Sequence, residues 1–358
     1  MTVIRRGSTE DRSKLRSTLH LNKWAEPMST FRAIRVHQVE KSFQSKFEDL
    51  SIDDLTPGEV VVRVAYSCLN FKDALAVTGK SRIMRQMPRV AGIDLSGVVE
   101  SSSDPAYKNG DEVLVTGCNL GELLDGGLAE MARVPASAVV PLPKGLSLHE
   151  AMALGTAGFT AGLGVKRMLE NHQVPELGPI VVTGPTGGVG SIAIQIFKRC
   201  GFEVIALTGK KAAAEDYLRK LGADQIEDRT TLDLGKKPLE AARFGGALDN
   251  LGGETLAGLT RNIRQWGTIA SIGLAQSHEL TTTVMPFILR GVSLLGINSV
   301  EVPREWRLDV WNKLAGDWRP KNLSDIVRRT ITLDEVPAAC AELMASSVQG
   351  RYVVKIGG

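Results

Sequence analysis

The stretch from Ile180 to Gly201 constrains the fold of this chain more than any other. Three apolar residues at 180–182 are followed by TGPTGGVG at 183–190, and then by an amphipathic segment that ends at Cys200. A buried strand that turns on glycines into a helix directs backbone N–H groups and the helix N-terminus at one point. The stretch therefore predicts a site for a pyrophosphate group, within a domain that binds a dinucleotide.

Apolar runs and helical patterns alternate from this stretch onward. Helices are predicted at 188–200, 211–221 and 254–265, between strands at 180–182, 204–207, 225–226, 247–248, 268–272 and 292–297. Strands separated by helices indicate a parallel, doubly wound sheet of the Rossmann type. The predicted fold class is therefore α/β.

The first part of the chain has a different pattern. From Phe31 to about Pro143, short strand-like runs are broken by glycine and proline at close intervals. That pattern is typical of an irregular antiparallel barrel. Residues 1–27 are rich in Arg, Ser and Thr without an apolar period, which predicts a disordered extension or an upstream start codon, with Met28 as the true beginning.

Composition bears on the class of function. No apolar run approaches the roughly 20 residues that span a bilayer, so no membrane insertion is predicted. Residues 1–27 carry six basic and three acidic residues and the remaining charges balance, so nothing in the charge favours nucleic acid as a partner. The cysteines lie far apart without a CxxC pair, as in a reduced, cytoplasmic protein without a structural zinc site: Cys68, Cys118, Cys200 and Cys340.

The residues after the second predicted strand bear on the choice of dinucleotide. An NAD site places an acidic residue about 20 residues after the glycines, where it binds the ribose hydroxyls. Here Thr208, Gly209, Lys210 and Lys211 occupy that place. Hydroxyl, amide and ammonium groups suit a 2′-phosphate, so NADPH is the predicted cofactor. Arg229, after the third strand, is a second candidate for that phosphate, or else an isolated surface arginine.

Six blocks of sequence carry a family resemblance. They are LNFKDALAVTGK (69–80), GIDLSGVV (92–99), GTAGFTA (155–161), VVTGPTGGVG (181–190), TTTVMPFILRGVSLLGINSV (281–300) and QGRYVVKI (349–356). Together they resemble the zinc-free quinone-oxidoreductase group of the medium-chain dehydrogenase/reductases, and more closely the bacterial acrylyl-CoA reductases of the YhdH type. The resemblance implies a GroES-like catalytic domain at 28–152 and 297–358, around a Rossmann domain at 153–296. It also implies a homodimer that associates through residues 292–297.

Two departures from the zinc alcohol dehydrogenases of this superfamily follow from the same blocks. Their catalytic CxxD motif corresponds here to Asn70–Asp73, and their glycine-histidine-glutamate motif corresponds to Gly92, Ile93 and Asp94. A zinc site needs three or four thiolate, imidazole or carboxylate ligands, and the thiolate and imidazole are replaced. No metal is therefore predicted.

The resemblance implies a 1,4-reduction. Hydride from NADPH would pass to the β-carbon of acrylyl-CoA and protonation at the α-carbon would give propanoyl-CoA. Asn70 and Lys72 are the candidate groups that stabilise charge on the thioester oxygen, with Asp73 orienting them. Residues 75–87 contain no tyrosine that could act as the acid, so a solvent proton or backbone donors remain open.

The resemblance also implies cofactor contacts along the chain. Phe71 would contact the nicotinamide end, and the pyrophosphate would be held by Thr186, Gly187, Gly188 and Val189. The adenosine phosphate would be bound by Thr208, Gly209, Lys210 and Arg229. The nicotinamide ribose would be lined by Leu251, Ile272 and Ser299. Ordinary packing is an equal alternative for Phe71. Arg351, before the last strand, either reaches the cofactor or closes the cleft.

A basic run follows the loop from Asn70 to Lys80, which we call the substrate loop. Arg82 and Arg85 belong to it, and guanidinium groups suit the phosphates of coenzyme A. A solvated surface is the simpler interpretation. Among enzymes the rival function is a reductase of quinones or free enones; outside enzymes it is an NADPH-binding sensor or structural protein.

Overall fold

A computed structural model describes residues 30–345 and 348–357, so the predicted extension at 1–27 lies outside the described residues. The strands are β1 (Phe31–Val39), β2 (Ser42–Leu50), β3 (Val60–Leu69), β4 (Arg89–Val90), β5 (Asp94–Ser102), β6 (Glu112–Thr116), β7 (Met131–Val134), β8 (Val140–Pro141), β9 (Ile180–Thr183), β10 (Val204–Thr208), β11 (Gln225–Asp228), β12 (Phe244–Asp249), β13 (Ile263–Ser271), β14 (Ser293–Gly296), β15 (Val327–Thr332) and β16 (Arg351–Lys355). The helices are α1 (Phe71–Val77), α2 (Leu148–Glu170), α3 (Gly188–Arg199), α4 (Lys211–Leu221), α5 (Gly253–Asn262), α6 (Met285–Arg290), α7 (Arg304–Ala315), α8 (Leu323–Ile326) and α9 (Val336–Met344).

The Rossmann sheet is confirmed. Its strand order is β11-β10-β9-β12-β13-β14, and the paired strands are parallel. All four residues of β9 are buried, as expected for a central strand covered by helices on both faces. The chain order reverses between β9 and β12, and that switch point is where such sheets bind their ligands.

One predicted helix was too long at its C-terminal end. The segment 254–265 leaves the helical conformation after Asn262, because Ile263 is extended (φ −74°, ψ 140°) and pairs with Phe244 as the first residue of β13. The Asn262 side chain donates to the carbonyl oxygens of Leu234 and Gly258, which fixes the chain at this point. Tertiary pairing therefore determines the boundary, not local helix propensity.

The remaining strands form the GroES-like part. One sheet has the order β15-β16-β3-β5-β6-β8, with β7 paired to β3, and a smaller sheet has the order β2-β1-β4. The sequence did not indicate β2, because its residues SFQSKFEDL are mostly polar and exposed. An edge strand with one neighbour needs little apolar surface, so periodicity gives a weak signal there.

Helix α2 joins the two parts of the fold. It is interrupted at Gly155 (φ 52°, ψ −158°), and the predicted domain limit between residues 152 and 153 falls just before this break. Its buried side packs in the same apolar cluster as α3 and α7, where Phe159 stacks on Trp311 with ring centroids 6.3 Å apart. Within the described residues, none of the helices is long and apolar enough to cross a membrane.

Candidate active site

The turn from β9 into α3 forms a cradle of backbone groups. Gly184 has a left-handed backbone (φ +55°), and a Cβ on Gly190 would lie 2.4 Å from the Gly184 carbonyl oxygen. Gly187 is the N-cap of α3 without a side-chain cap, so the first N–H groups of the helix have no capping side chain. A helix N-terminus with this access binds phosphate groups well. Gly184 is thus required by its backbone angle and Gly190 by close approach.

Two further members of the predicted pyrophosphate group lie in this cradle. The Thr186 carbonyl accepts an N–H from Gly350 at 2.9 Å, which ties the cradle to the lead-in of β16. Val189 is half-buried and packs on the main apolar cluster. A Cβ on Gly188 would lie only 2.7 Å from Nη1 of Arg351, so the glycine leaves room for that guanidinium.

Substitution of Gly190 tests the tightness of the cradle. We expect Gly190→Ala to lower the free energy of unfolding by about 2 to 3 kcal/mol, because backbone rather than a flexible side chain must move away. A Cβ on Gly187 would lie 3.5 Å from the Gly184 carbonyl oxygen, an ordinary contact. Gly187→Ala should therefore cost less than about 1 kcal/mol, the loss expected at an N-cap. Urea unfolding of both variants measures the difference, and equal losses would contradict the close approach.

The predicted adenosine-phosphate residues lie together at the ends of β10 and β11. Thr208 Oγ1 accepts the N–H of Lys210 at 3.1 Å, and the Thr208 carbonyl accepts the N–H of Arg229 at 2.9 Å. A Cβ on Gly209 would lie 3.3 Å from Nη2 of Arg229, so the guanidinium lies over that glycine. Lys210 is exposed and Arg229 is half-buried. The group brings two cationic side chains together at the ends of these strands.

The predicted nicotinamide-ribose residues follow strands on the other side of the switch point. Leu251 and Ile272 are half-buried after β12 and β13, and Ile272 donates its N–H to the Asp249 carbonyl. The sequence did not single out Asp249, whose carboxylate accepts the Thr183 hydroxyl at 2.8 Å. This bond joins the ends of β9 and β12 and so fixes the shape of the switch point.

Ser299 lies where the chain leaves the Rossmann sheet. A Cβ on Gly117 would come within 3.2 Å of the Ser299 carbonyl oxygen, so the backbone after β14 meets the loop after β6. The proposed ribose contact therefore lies directly beside the catalytic part of the fold.

Asn70 is the centre of a buried polar network. Its side-chain amide donates to Asp73 Oδ2 at 3.1 Å and to Asp94 Oδ2 at 2.8 Å, while its backbone N–H also donates to Asp73. Its Oδ1 accepts from Nη1 of Arg351 at 3.4 Å. Both amide hydrogens thus point at carboxylates, which makes Asn70 an organising group and leaves no amide hydrogen for a thioester oxygen.

Asp94 holds this network together, although the sequence singled it out only as a replaced zinc ligand. Its fully buried carboxylate accepts from the Thr156 N–H at 2.8 Å, the Thr156 hydroxyl, the Cys68 thiol at 3.0 Å and Asn70. Thr156 is the first residue after the break in α2, so Asp94 acts as an acceptor at a restarted helix N-terminus. That position gives the carboxylate two donors from one residue, the N–H and the hydroxyl of Thr156.

Asp73 differs from Asp94 in its environment. Burial, followed by the negative charge of Asp94, raises the pKa of Asp73 to about 7, against the donors of Asn70 and Ile93. A carboxyl whose pKa rises on folding takes up a proton as the chain folds. Its contribution to stability is present below about pH 4 and is lost as the pH rises through about 7.

Arg351 connects the cradle with the network. Its side chain is 3% exposed, and its Nη2 donates to the Cys68 sulfur at 2.9 Å. Its Nε is buried without a hydrogen-bond partner. The guanidinium thus lies between the N-terminus of α3 and Asn70.

Phe71 and Lys72 lie at the start of α1 with side chains that are at least partly exposed. Phe71 is 56% exposed. Lys72 Nζ donates to Glu122 Oε1 at 2.7 Å. Glu122 lies 50 residues further along the chain, so sequence reasoning had no means of pairing the two.

The basic run lies on the loop between α1 and β4. Arg82 and Arg85 are both exposed, and the Arg85 N–H donates to the Glu122 carbonyl at 3.1 Å. The loop is thereby attached to the segment that pairs with Lys72. Their side chains are accessible to a charged part of a substrate.

The positions that correspond to zinc ligands carry an amide and an aliphatic side chain, Asn70 and Ile93. Within residues 30–345 and 348–357, His, Cys, Asp and Glu side chains form no group of three that could hold a metal ion.

Comparison with known families identifies the class. Residues 56–144 match the alcohol dehydrogenase GroES-like domain, and residues 188–315 match the zinc-binding dehydrogenase family. With the 3-2-1-4-5-6 order of its Rossmann strands and a GroES-like part, the chain has the fold of a medium-chain dehydrogenase/reductase.

Closer relatives narrow the class. Acrylyl-CoA reductase AcuI of Ruegeria pomeroyi is 43% identical over 91% of this chain and 99% of its own length. "Putative quinone oxidoreductase YhfP" of Bacillus subtilis is 44% identical over 92% of this chain and 100% of its own length. The YhdH oxidoreductase of Salmonella enterica, solved in complex with NADP, has 40% identity and a TM-score of 0.88 over 91% of this chain and 100% of its own. The chain belongs to this acrylyl-CoA reductase and YhdH group, which confirms the resemblance of the six sequence blocks.

Proposed function

We propose that the protein reduces the 2,3 double bond of acrylyl-CoA to propanoyl-CoA with NADPH. One observation carries the proposal: the cradle at the N-terminus of α3 and the substrate loop at Asn70 lie against the same guanidinium, that of Arg351. A dinucleotide in the cradle and a substrate at the loop would therefore meet at one place. Relatives named acrylyl-CoA reductase, 40% and 43% identical to this chain, support the choice of substrate.

The choice of NADPH is supported by the adenosine end of the site. Thr208, Gly209, Lys210 and Arg229 present hydroxyl, amide and cationic groups there, and the homologous YhdH structures of Salmonella enterica and E. coli contain NADP and NADPH. The YhfP structure of Bacillus subtilis has NAD bound, so the choice needs a direct test in this chain. NADPH, when bound, supplies the hydride.

The residues of the chain have separate tasks in this reaction. Asn70, Asp73, Asp94 and Arg351 hold the substrate loop in one arrangement, because every side-chain polar atom of Asn70 is bonded within the network. Lys72 lies within that loop, and its side chain is only one-third exposed. It is the candidate group that stabilises negative charge on the thioester oxygen as hydride reaches the β-carbon. Phe71 offers an exposed ring for the nicotinamide.

The remaining assignments complete the proposal. The catalytic domain comprises residues 28–152 and 297–358, and the NADPH domain residues 153–296. Catalysis uses no metal, since Asn70 and Ile93 replace the thiolate and the imidazole of the zinc enzymes. The cysteines are unpaired, which suits a reducing, cytoplasmic environment.

A homodimer is supported by one face of the Rossmann sheet. Strand β14 is the last strand in the order of that sheet, and exposed apolar side chains lie on the two elements before it, β13 and α6. Trp266 and Ile288 are 73% and 71% exposed, and Val284 and Leu289 are more than half exposed. An apolar patch beside a free strand edge is the surface on which a second copy would pair.

Steady-state oxidation of NADPH with three acceptors tests the proposal. Acrylyl-CoA should give the highest kcat/KM, followed by crotonyl-CoA, with a small quinone far below. A quinone as the sole acceptor would favour the reductase named for YhfP and overturn the thioester reaction. Tight NADPH binding without turnover of any acceptor would indicate a sensor or structural protein.

A further inference from the structure

A cavity lies between the loop after β6 and the segment before α7. Its volume is about 410 Å³, within the range of about 300 to 1,000 Å³ that small-molecule sites occupy. The cavity beside Ile272 is smaller, about 270 Å³. None of the cofactor contacts assigned above is among the residues that line the larger cavity, although Ser299 is next to Val300 in the lining.

One wall of the cavity is an unusual stretch of backbone. Gly117, Cys118 and Asn119 are consecutive left-handed residues, with φ of 66°, 50° and 64°. Such a conformation costs a non-glycine residue about 1 to 3 kcal/mol, and it is concentrated at functional sites. Both Cys118 and Asn119 line the cavity. The Asn119 carbonyl accepts the N–H groups of Glu122, Leu123 and Leu124, which holds the wall in place.

A buried guanidinium fixes the opposite wall to the first. Arg307 is 2% exposed, donates from Nη1 to the Thr116 carbonyl at 2.7 Å, and donates from Nη2 to the Val300 carbonyl at 3.1 Å. Its guanidinium carbon lies 4.6 Å from the centre of the Phe159 ring. The cavity is therefore formed before any ligand arrives.

The wall of the cavity is connected to Asn70 and Lys72 along two short stretches of chain. Thr116, directly before the wall, pairs with Asp94 in the sheet, and Glu122, three residues after Asn119, accepts from Lys72. The wall is therefore attached to the groups that surround Asn70 and Lys72.

The lining is suited to an uncharged chain. Leu124, Ala138 and Val302 supply apolar surface, while Asn119 and Ser137 supply an amide and a hydroxyl. The guanidinium of Arg304 is committed to the Ser137 and Val139 carbonyls and the Tyr107 hydroxyl, so it is not reserved for a phosphate. The exposed carboxylate of Glu301 also disfavours one. Resting on the proposed function, we infer that this cavity binds the pantetheine arm of the acyl-CoA substrate.

A substitution that fills the cavity tests this assignment. Ser137 is exposed and lines the cavity, so Ser137→Trp fills the space with little risk to folding. We expect it to raise the KM for acrylyl-CoA by about tenfold or more, while the KM for a small quinone changes less than about twofold. Ser103→Trp, at another exposed serine, is the matched control and should change neither. Equal effects on both acceptors, or no effect, would overturn the assignment.

Protection of a thiol provides a second readout that does not depend on turnover. Cys118 and Cys200 are both half-buried, but only Cys118 lines the cavity. Propanoyl-CoA should slow alkylation of Cys118 by iodoacetamide about tenfold, as near-saturating occupancy requires, and leave Cys200 unchanged. Unprotected Cys118 would overturn the inference even if acrylyl-CoA is reduced. Protection without reduction would overturn the proposed function and leave the cavity assignment standing.

Discussion

Replacing Asn70 by aspartate is expected to lower the free energy of unfolding by about 3 kcal/mol at about pH 8, and to lower kcat by about 100-fold. The amide nitrogen of Asn70 stands between Asp73 Oδ2 at 3.1 Å and Asp94 Oδ2 at 2.8 Å. Aspartate has the same shape but places an acceptor against two acceptors. The variant loses two hydrogen bonds and gathers three carboxyl groups in a buried space, which is a strongly unfavourable arrangement.

The loss of unfolding free energy in Asn70→Asp should be smaller at low pH. Near about pH 5, a proton bound by one of the three carboxyls restores a donor, so the difference from the parent protein should shrink by at least about 1 kcal/mol. Urea unfolding at both pH values measures this. Asn171→Asp is the matched control: the Asn171 amide donates to the Thr268 hydroxyl at 2.9 Å, and that hydroxyl can donate in return. Equal, pH-independent losses in the two variants would contradict the arrangement around Asn70.

Removing the Arg229 guanidinium is expected to alter the choice of cofactor. Arg229→Ala should lower kcat/KM for NADPH by about 10- to 100-fold, the value of a hydrogen bond to a charged group, and change kcat/KM for NADH less than about twofold. The reason is the position of the guanidinium over Gly209, where the adenosine phosphate is proposed to lie. Initial rates at varied concentrations of each dinucleotide, with acrylyl-CoA saturating, give kcat/KM for NADPH and for NADH.

Arg219→Ala is the matched control for Arg229→Ala. Arg219 is also an arginine of the first half of the Rossmann part, but it lies in α4 and donates to the Asp224 carbonyl, directly before β11. Arg219→Ala should leave kcat/KM for NADPH and for NADH unchanged. If Arg229→Ala lowers the rates with NADPH and NADH equally, Arg229 supports the fold at this point and does not contact the phosphate.

The Rossmann half could be predicted from the sequence because its signals are local. The glycines at 184–190 follow a buried strand and begin a helix, and α4 has the predicted limits of 211–221. Both signals come from residues that are close together in sequence, where backbone sterics and hydrophobic periodicity determine the local structure. The strand β2 was missed because its stability comes from pairing with β1 and not from its own apolar residues.

The buried polar network could be predicted only in part. The family resemblance of the block at 69–80 indicated Asn70 and Asp73, which are three residues apart and form a local hydrogen bond. The partners of Asp94 come from residues 26 and 62 positions away, Cys68 and Thr156. An acidic residue within the apolar run of GIDLSGVV was the available signal, since a buried carboxylate requires donors. The sequence does not say which donors those are.

The break in α2 has a consequence for the electroneutrality of the protein interior. Asp94, Asp73 and Arg351 are all buried, and the helix that restarts at Thr156 directs the positive end of its dipole at Asp94. Protonation of Asp73, whose pKa is raised to about 7 by burial, removes one formal negative charge from this buried group. A less charged interior of this kind exerts its effect on a substrate through oriented dipoles at fixed positions, and it lowers the large solvation cost of an unbalanced buried ion.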